Sequence, residues 1–223
     1  MISLDSVSKV YSDGAVIAVN NVSLEIESGE KLALMGPSGA GKSTLLNLMG
    51  TIDSPTSGEI IIDDINLFSI KRTNRFRART IGFIFQFHHL LPNLTSLENV
   101  EMPMYSEKIP RRERRQRAMD LLESVGIGNK FDKLPGQLAG GERQRIAVAR
   151  ALVNNPKIVL ADEPTGSLDA KTGLWVIDQL VNYSDANRAT LILATHNEAV
   201  AKRMNRRIIM EYGSVDFENS NKI

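Results

Sequence analysis

Apolar residues along this chain recur with two periods, and their alternation sets the expected fold class. Val22, Leu24 and Ile26 alternate with polar partners, so the first thirty residues read as antiparallel strands, with a turn at Ser28-Gly29-Glu30. Short continuous apolar runs follow: Lys31–Met35, Glu59–Asp63 after a Ser57-Gly58 turn, Ile81–Phe85, Ile158–Asp162, Thr190–Thr195 and Ile208–Met210. Each has the length and flanking punctuation of a buried strand. Between them the period becomes helical. Ser43–Met49 is one helix; Ala118, Leu121, Leu122 and Val125 share a face of another, closed by Gly126; Gly141–Val153 is a third, stopped by Pro156. A helix is expected over 172–182 and a short one ending at Met204, while Thr95-x-x-Glu98 forms a capping box. Strands alternating with helices predict an α/β fold with a mainly parallel sheet covered on both faces.

Composition narrows the picture without changing it. A chain of 223 residues can bury one large core and reads as a single folding unit. It has no cysteine, so disulfides and thiolate metal sites are excluded. No apolar run approaches the length of a membrane helix, and Met1-Ile2-Ser3-Leu4-Asp5 lacks a secretory pattern, so a cytoplasmic chain is expected. With 27 basic and 26 acidic side chains there is no global field to attract nucleic acid, and no nucleic-acid partner is expected.

The chemistry begins at Gly36-Pro37-Ser38-Gly39-Ala40-Gly41-Lys42-Ser43, a complete G-x-x-x-x-G-K-[ST] phosphate loop between a strand and a helix. Its glycines let successive amides turn inward, and the following helix adds its positive end. Lys42 then reaches the β- and γ-phosphates of a nucleoside triphosphate, and Ser43 offers its hydroxyl to Mg²⁺. The strand Ile158–Ala161 delivers Asp162 and Glu163 to its C-terminal end, where open α/β sheets place ligands. Asp162 stands where a Mg²⁺-coordinating acid belongs, and Glu163 can face an attacking water, which makes this a hydrolysis site. Leu138-Ala139-Gly140-Gly141-Glu142 opens a helix whose Arg143 and Arg145 sit against the positive end of the helix dipole. An anion supplied from elsewhere would relieve that conflict, because the phosphate loop already has its own helix.

With these motifs in order, the chain resembles the ATP-binding cassette ATPases over nearly all its length. Gln86 matches the Q-loop, Leu138–Glu142 the signature, Asp162-Glu163-Pro164-Thr165 the acidic strand end, Ser167-Leu168-Asp169 the D-loop and His196 the H-loop. The resemblance implies a phosphate-loop NTPase core, about 1–86 and 157–223, with an antiparallel β subdomain and an inserted α-helical subdomain, about 87–156. It implies ATP and Mg²⁺ as cofactors and a head-to-tail homodimer in which each phosphate loop faces the partner's Ala139, Gly140, Gly141 and Glu142. Tyr11 would stack on adenine, Thr44 would lie beside the phosphates, Gln86 would sense Mg²⁺ and water, Glu163 would be the general base, His196 would hold the γ-phosphate, and Asp169 would communicate across the dimer. The family usually carries Ser where this chain has Ala139, a hydroxyl whose absence costs on the order of 1 kcal/mol of dimer closure.

Phe85-Gln86-Phe87-His88-His89-Leu90-Leu91-Pro92 and Arg150–Pro156 resemble the branch serving lipoprotein release, macrolide and peptide efflux, and haem export. That likeness implies a peripheral subunit on the cytoplasmic membrane face, with a separate membrane-spanning permease whose short cytoplasmic helix meets Phe85, Phe87, Leu90 and Leu91. Adjacent residues of an extended segment point to opposite sides, so His88 and His89 read as packing or partner contact rather than metal ligands. Of the two basic clusters, Lys71, Arg72, Arg75, Arg77 and Arg79, then Lys108, Arg111, Arg112, Arg114, Arg115 and Arg117, the second reads by default as a solvated helix face; attraction to acidic headgroups is the alternative. The stretch from Lys42 to Leu138 is too short for the coiled coil of DNA-maintenance cassettes, and one phosphate loop excludes the paired-cassette translation factors. A cell-division type of mechanical regulator stays open. Cargo is not written in such a chain.

Overall fold

A computed structural model of the protein describes residues 1–71 and 73–216, so Arg72 of the first basic cluster lies outside the described residues. Two sheets form. The smaller is antiparallel, in the order β2-β1-β4-β5, from β1 (Ile2–Tyr11), β2 (Val16–Ile26), β4 (Ser57–Ile62) and β5 (Ile65–Asn66). The larger has the order β10-β9-β3-β8-β7-β6, built from β3 (Lys31–Met35), β6 (Ile81–Ile84), β7 (Ile158–Asp162), β8 (Thr190–Ala194), β9 (Arg206–Glu211) and β10 (Ser214–Asp216). Apart from the antiparallel β10·β9 pair, its four pairings are parallel, so β9-β3-β8-β7-β6 all run in one direction. The expected α/β class with an antiparallel part is therefore the fold observed.

Helix α1 (Lys42–Met49) lies between the two sheets. Its Leu45, Leu46, Leu48 and Met49 join one buried cluster with Leu4, Leu24 and Ile62 of the small sheet and Leu34, Leu160 and Ile192 of the large one. Alternation along β3 and β8 sends Ala33, Leu191 and Leu193 to the opposite face, where α6 (Ala170–Asn187) covers them with Val176, Ile177 and Leu180. A third cluster holds α3 (Ser96–Glu101), α4 (Arg111–Ser124) and α5 (Gly140–Leu152) together through Leu97, Val100, Ala118, Leu122, Ile146 and Ala149. Val148 and Leu152 on the other side of α5 belong to the second cluster, so this helix packs in two places at once.

Several boundaries differ from expectation for identifiable reasons. Helix α6 is longer than 172–182 because Asp169 caps it by accepting the Thr172 N–H (3.0 Å) and Arg188 closes it in a left-handed conformation. Its polar last turn, Tyr183 to Asn187, hid that extension. Helix α2 (Thr73–Thr80) falls within the first basic cluster, which carries too little apolar periodicity to announce a helix. Residues 88 and 89 are not extended: both have positive φ, 61° and 46°. Strand alternation therefore does not set His88 and His89 on opposite sides; among the described residues no group of His, Asp and Glu that could hold a metal is found. The capping box at Thr95 and Glu98 forms, and Gly126 ends α4 with φ 76°.

The phosphate-loop glycines are required by close approach. A Cβ at Gly36 would stand 2.1 Å from the Met210 carbonyl oxygen, and one at Gly41 2.2 Å from that of Ala18, whereas one at Gly39 meets nothing within 4 Å. All three have positive φ. Gly39→Ala should thus cost only the left-handed strain, about 1–2 kcal/mol, while Gly41→Ala adds overpacking of about 1–3 kcal/mol. Chemical denaturation of the two variants tests this; equal destabilisation would refute it.

Candidate functional site

The site is assembled at the C-terminal ends of β3, β6, β7 and β8. Between β3 and α1 the loop curls with positive φ at Gly36, Gly39 and Gly41. The Ala40 N–H bonds to the Pro37 carbonyl, and the Gly213 N–H donates to the Ala40 carbonyl (3.1 Å), tying the loop to the turn after β9. Pro37, Ser38 and Gly39 remain exposed. Lys42, buried at α1's first residue, donates its ammonium to the carbonyls of Gly36 (2.7 Å) and Pro37 (2.8 Å) and so spans the loop. The Lys42 ammonium and the positive end of α1 meet here without a carboxylate in the helix's first turn, the electrostatics of an anion cradle.

The two acids of β7 occupy different environments. Asp162 lies beside the Ser43 hydroxyl, which favours its charged form, and its Oδ1 is buried without a partner. Burial pushes this carboxyl above its ordinary value, and the neighbouring Glu163 charge adds to that; Ser43 and Lys42 act against it. An orphaned carboxylate oxygen beside a serine hydroxyl is the donor set a hard divalent cation takes, so the residues fit Mg²⁺. Glu163 adopts positive φ (43°) and turns away. Its Oε1 lies 2.9 Å from His196 Nδ1, joining the end of β7 to the loop after β8. The imidazole is 73% exposed while the Glu163 side chain is only 15% exposed. Gln86, on the turn after β6, approaches from the other side: a Cβ placed on Gly166 would sit 3.3 Å from Gln86 Nε2 and 3.7 Å from Glu163 Cβ. Gly166 belongs to no sequence motif, because only the folded chain brings it between these two side chains.

Tyr11, at the end of β1, reaches the same region. Its hydroxyl donates to Asp53 Oδ2 (2.7 Å), and Thr44 of α1 stands near enough to act against the upward push on its pKa. The signature residues lie apart from the loop. Ala139 is the exposed N-cap of α5; its N–H donates to Glu142 Oε2 (3.0 Å), and Lys130 also binds the Glu142 carboxylate. A Cβ on Gly140 would enter open space, and one on Gly141 would meet Thr172 Cγ2 at 3.1 Å, so the signature turn packs beside the first turn of α6 and its cap Asp169. Arg145 does not confront the start of α5: its guanidinium donates to the Val125 carbonyl (2.9 Å) and lies 3.9 Å over the Trp175 ring. Its charge is absorbed within the chain, leaving Arg143 as the arginine near that helix end.

Below Gln86, a groove of about 350 Å³ is lined by Phe83, Phe85, His89, Met102, Arg77 and Arg150 among others. Arg150 donates to the carbonyls of His88 (2.7 Å) and His89 (2.6 Å), fixing the left-handed pair. Phe87 and Leu91 stand exposed nearby. Many of the basic residues have internal work: Arg79 pairs with Glu107, Arg117 with Glu113, Arg77 donates to Thr51, and Arg114 donates to the Ile109 carbonyl and covers Tyr105. Arg111, Arg112 and Arg115 are exposed on α4.

Comparison with known proteins agrees with this geometry. A family model described as ABC transporter matches residues 19–166. The lipoprotein-releasing system ATP-binding protein LolD of Shewanella denitrificans is 45% identical over 217 residues, covering 96% of this chain and 93% of that protein. YvrO of Bacillus subtilis, called an uncharacterized ABC transporter ATP-binding protein, is 44% identical over 221 residues, covering 96% and 95% respectively. Among solved structures, a dimeric post-hydrolysis state of the ATP-binding cassette MJ0796 bound to ADP and Pi superposes with TM-score 0.92 at 40% identity, covering 100% of this chain and 98% of that one. Among the described residues no helix is long and apolar enough to cross a membrane.

Because a methyl group on Gly166 would press on Gln86 but leave the backbone unstrained, Gly166→Ala is expected to unfold at the unmodified temperature while kcat for nucleotide hydrolysis falls about three- to tenfold, as small misplacements at reacting groups do. Unchanged kcat would mean that the Gln86 position is not critical.

Proposed function

Since the chain belongs to the ABC transporter family, as an ATP-binding and ATP-hydrolysing cassette, we propose that two copies close head to tail around two ATP molecules and thereby drive a separate membrane-spanning permease. The reading is carried by the outward-facing Gly140–Gly141 turn, which opens on solvent and borders Thr172 while the phosphate loop lies elsewhere in the same chain. A helix start with accessible amides can then meet a phosphate held by a second copy. Asp169, capping α6 beside that turn, would lie at the same seam.

Within each copy, Gly36 to Thr44 cradle the phosphates and Lys42 exchanges its loop carbonyls for phosphate oxygens. Ser43, Asp162 and Gln86 would hold Mg²⁺, which supplies charge neutralisation at the β- and γ-phosphates. Glu163 orients and deprotonates water as general base, with His196 holding it on one side and touching the γ-phosphate on the other; Gln86 closes the third side. Tyr11 is the platform for the base. Ala139 offers no hydroxyl, so the amides of Gly140 and Gly141, with Glu142 fixing the turn, carry the contact to the partner's nucleotide.

The groove lined by Phe83, Phe85, His89 and Met102, with exposed Phe87 and Leu91 beside it, suits an amphipathic cytoplasmic helix of the permease. On this reading the protein sits peripherally on the cytoplasmic face of the membrane, with Arg111, Arg112 and Arg115 able to meet acidic headgroups. Lipoprotein release is the favoured cargo class because the relatives named for it align along nearly the whole chain; the similar identity to YvrO, whose name gives no cargo, leaves the class to be measured by copurifying the permease.

Glu163→Gln should bind ATP, run as a dimer in size-exclusion chromatography with light scattering, and hydrolyse about 10²–10⁴-fold more slowly. A variant that stays monomeric in ATP, or turns over at the unmodified rate, would refute the dimer or the base. Ala139→Ser restores an N-cap acceptor and should raise stability by about 0.5–2 kcal/mol, with turnover unchanged or higher in a coupled ATPase assay. Lower turnover would contradict the role given to this position.

A further inference from the structure

Tyr11 is held by two groups that the phosphate chemistry does not use, Asp53 and Lys9. Asp53 lies in the turn that follows α1, where its own N–H reaches the Asn47 carbonyl (3.3 Å) and its Oδ1 accepts the Ser54 N–H (2.7 Å). From that anchored position Oδ2 accepts the Tyr11 hydroxyl (2.7 Å) and Oδ1 accepts the Lys9 ammonium (2.7 Å). Lys9 is fixed in turn by the Ser54 carbonyl (2.8 Å), and its Nζ stands 4.8 Å from the centroid of the Tyr11 ring. The Lys9 side chain is only 13% exposed and Asp53 30%, whereas Tyr11 is 37% exposed. The cation covers one ring face and leaves the other for stacking. Thr44, two residues beyond Lys42, stands near the Tyr11 hydroxyl.

We propose that Asp53 is a positioning residue for the nucleotide base: it ties the ring of Tyr11, and the cation over it, to the far end of the helix that begins at the phosphate loop. The proposal rests on Tyr11 being the base platform. Helix α1 then sets both ends of the nucleotide, the phosphates through its first turn and the base through the turn that follows it. A ring tethered at its hydroxyl has fewer orientations to lose when a base stacks on it, so binding forfeits less conformational entropy. Burial alone would push the Asp53 carboxyl upward, but the hydrogen bonds from Lys9, Tyr11 and Ser54 outweigh it and hold the group ionised below its ordinary value. Stacking tolerates any base, so the tether acts on affinity for ATP and GTP alike.

The test compares ATP hydrolysis by Tyr11→Ala, Tyr11→Phe, Asp53→Ala, Asp53→Asn and the Tyr11→Phe/Asp53→Ala pair, with inorganic tripolyphosphate as a baseless competitive inhibitor. Tyr11→Phe and Asp53→Ala should each raise KM for ATP and for GTP about three- to tenfold with kcat unchanged, the size of one lost hydrogen bond. The double variant should be no worse than either alone, because both remove the same tether. Asp53→Asn, which keeps an acceptor for the hydroxyl, should recover most of the loss, and inhibition by tripolyphosphate should not change in any of them. If Tyr11→Ala raises KM but Tyr11→Phe and Asp53→Ala do not, the tether is irrelevant and the platform stands. If Tyr11→Ala also matches the unmodified protein, the platform itself is wrong. Weakened tripolyphosphate inhibition in parallel with KM would place Asp53 in support of the phosphate loop and overturn the proposal. Should Asp53→Ala not fold, Tyr11→Phe, which removes one surface oxygen, decides alone.

Discussion

The phosphate loop is clamped between backbone carbonyls of two different sheets, and the geometry of the site follows from that clamp. Gly36 runs against the Met210 carbonyl of β9, in the parallel sheet, and Gly41 against the Ala18 carbonyl of β2, in the antiparallel one. No side chain fits at either contact. The antiparallel sheet is therefore more than a cover for α1: it fixes where that helix begins. The Asn20 N–H bonded to the Gly213 carbonyl, and the Gly213 N–H bonded to that of Ala40, close the same circuit through the turn after β9. Once the start of α1 is fixed, Ser43 faces Asp162 and Thr44 faces Tyr11 without further adjustment. The buried cluster that α1 shares with both sheets then makes any shift of the helix an expensive repacking.

The division between the two acids of β7 is a matter of direction and solvent. Asp162 continues the strand and points into the interior, where its charge is disfavoured by burial and sustained by Ser43 and Lys42. Glu163 leaves the strand in a left-handed conformation, which reverses its side chain toward His196 at the open side. That backbone conformation costs about 1–2 kcal/mol for a residue with a side chain. The Glu163 N–H donates to the Ala194 carbonyl and its own carbonyl accepts from Gly166, so the surrounding hydrogen bonds hold it there. Adjacent residues consequently face different partners, Asp162 the Ser43 and Lys42 side chains and Glu163 the exposed His196 ring.

What was legible in the sequence is what depends on local periodicity and spacing. Alternation at Val22, Leu24 and Ile26 sufficed for β2, the Thr95-x-x-Glu98 spacing for the cap of α3, and Gly36–Ser43 for the strand, loop and helix around the cradle. Features created by tertiary approach were not legible. Arg145 lies at a helix start in sequence, yet Trp175 and the Val125 carbonyl, from elements on either side, draw it away. His88 and His89 look like part of an extended run until Arg150, sixty-odd positions later, takes both carbonyls. Asp53 is an ordinary turn acid until Lys9 and Tyr11 arrive from β1. Helix α2 lacks an apolar stripe, so only its place before β6 defines it. For Arg145, His88, His89 and Asp53 the deciding partner lies far away in the chain, beyond any window over which a hydrophobic period can be read.

Helix α5 brings these threads together. Its thirteen residues span about 20 Å at the rise of an α-helix. Its first turn carries Gly140 and Gly141 toward the face where, in the proposed dimer, the partner's phosphates would arrive. Its last turn carries Arg150, whose guanidinium grips the backbone that follows Gln86. Burial lowers the Arg150 pKa to about 10, so it remains charged at neutral pH and cannot leave its two carbonyl partners without exposing a desolvated cation. Held by its flanks in two apolar clusters and bonded at one end to the segment after Gln86, this helix joins the signature turn to the groove beside Phe85 and His89 through the same thirteen residues.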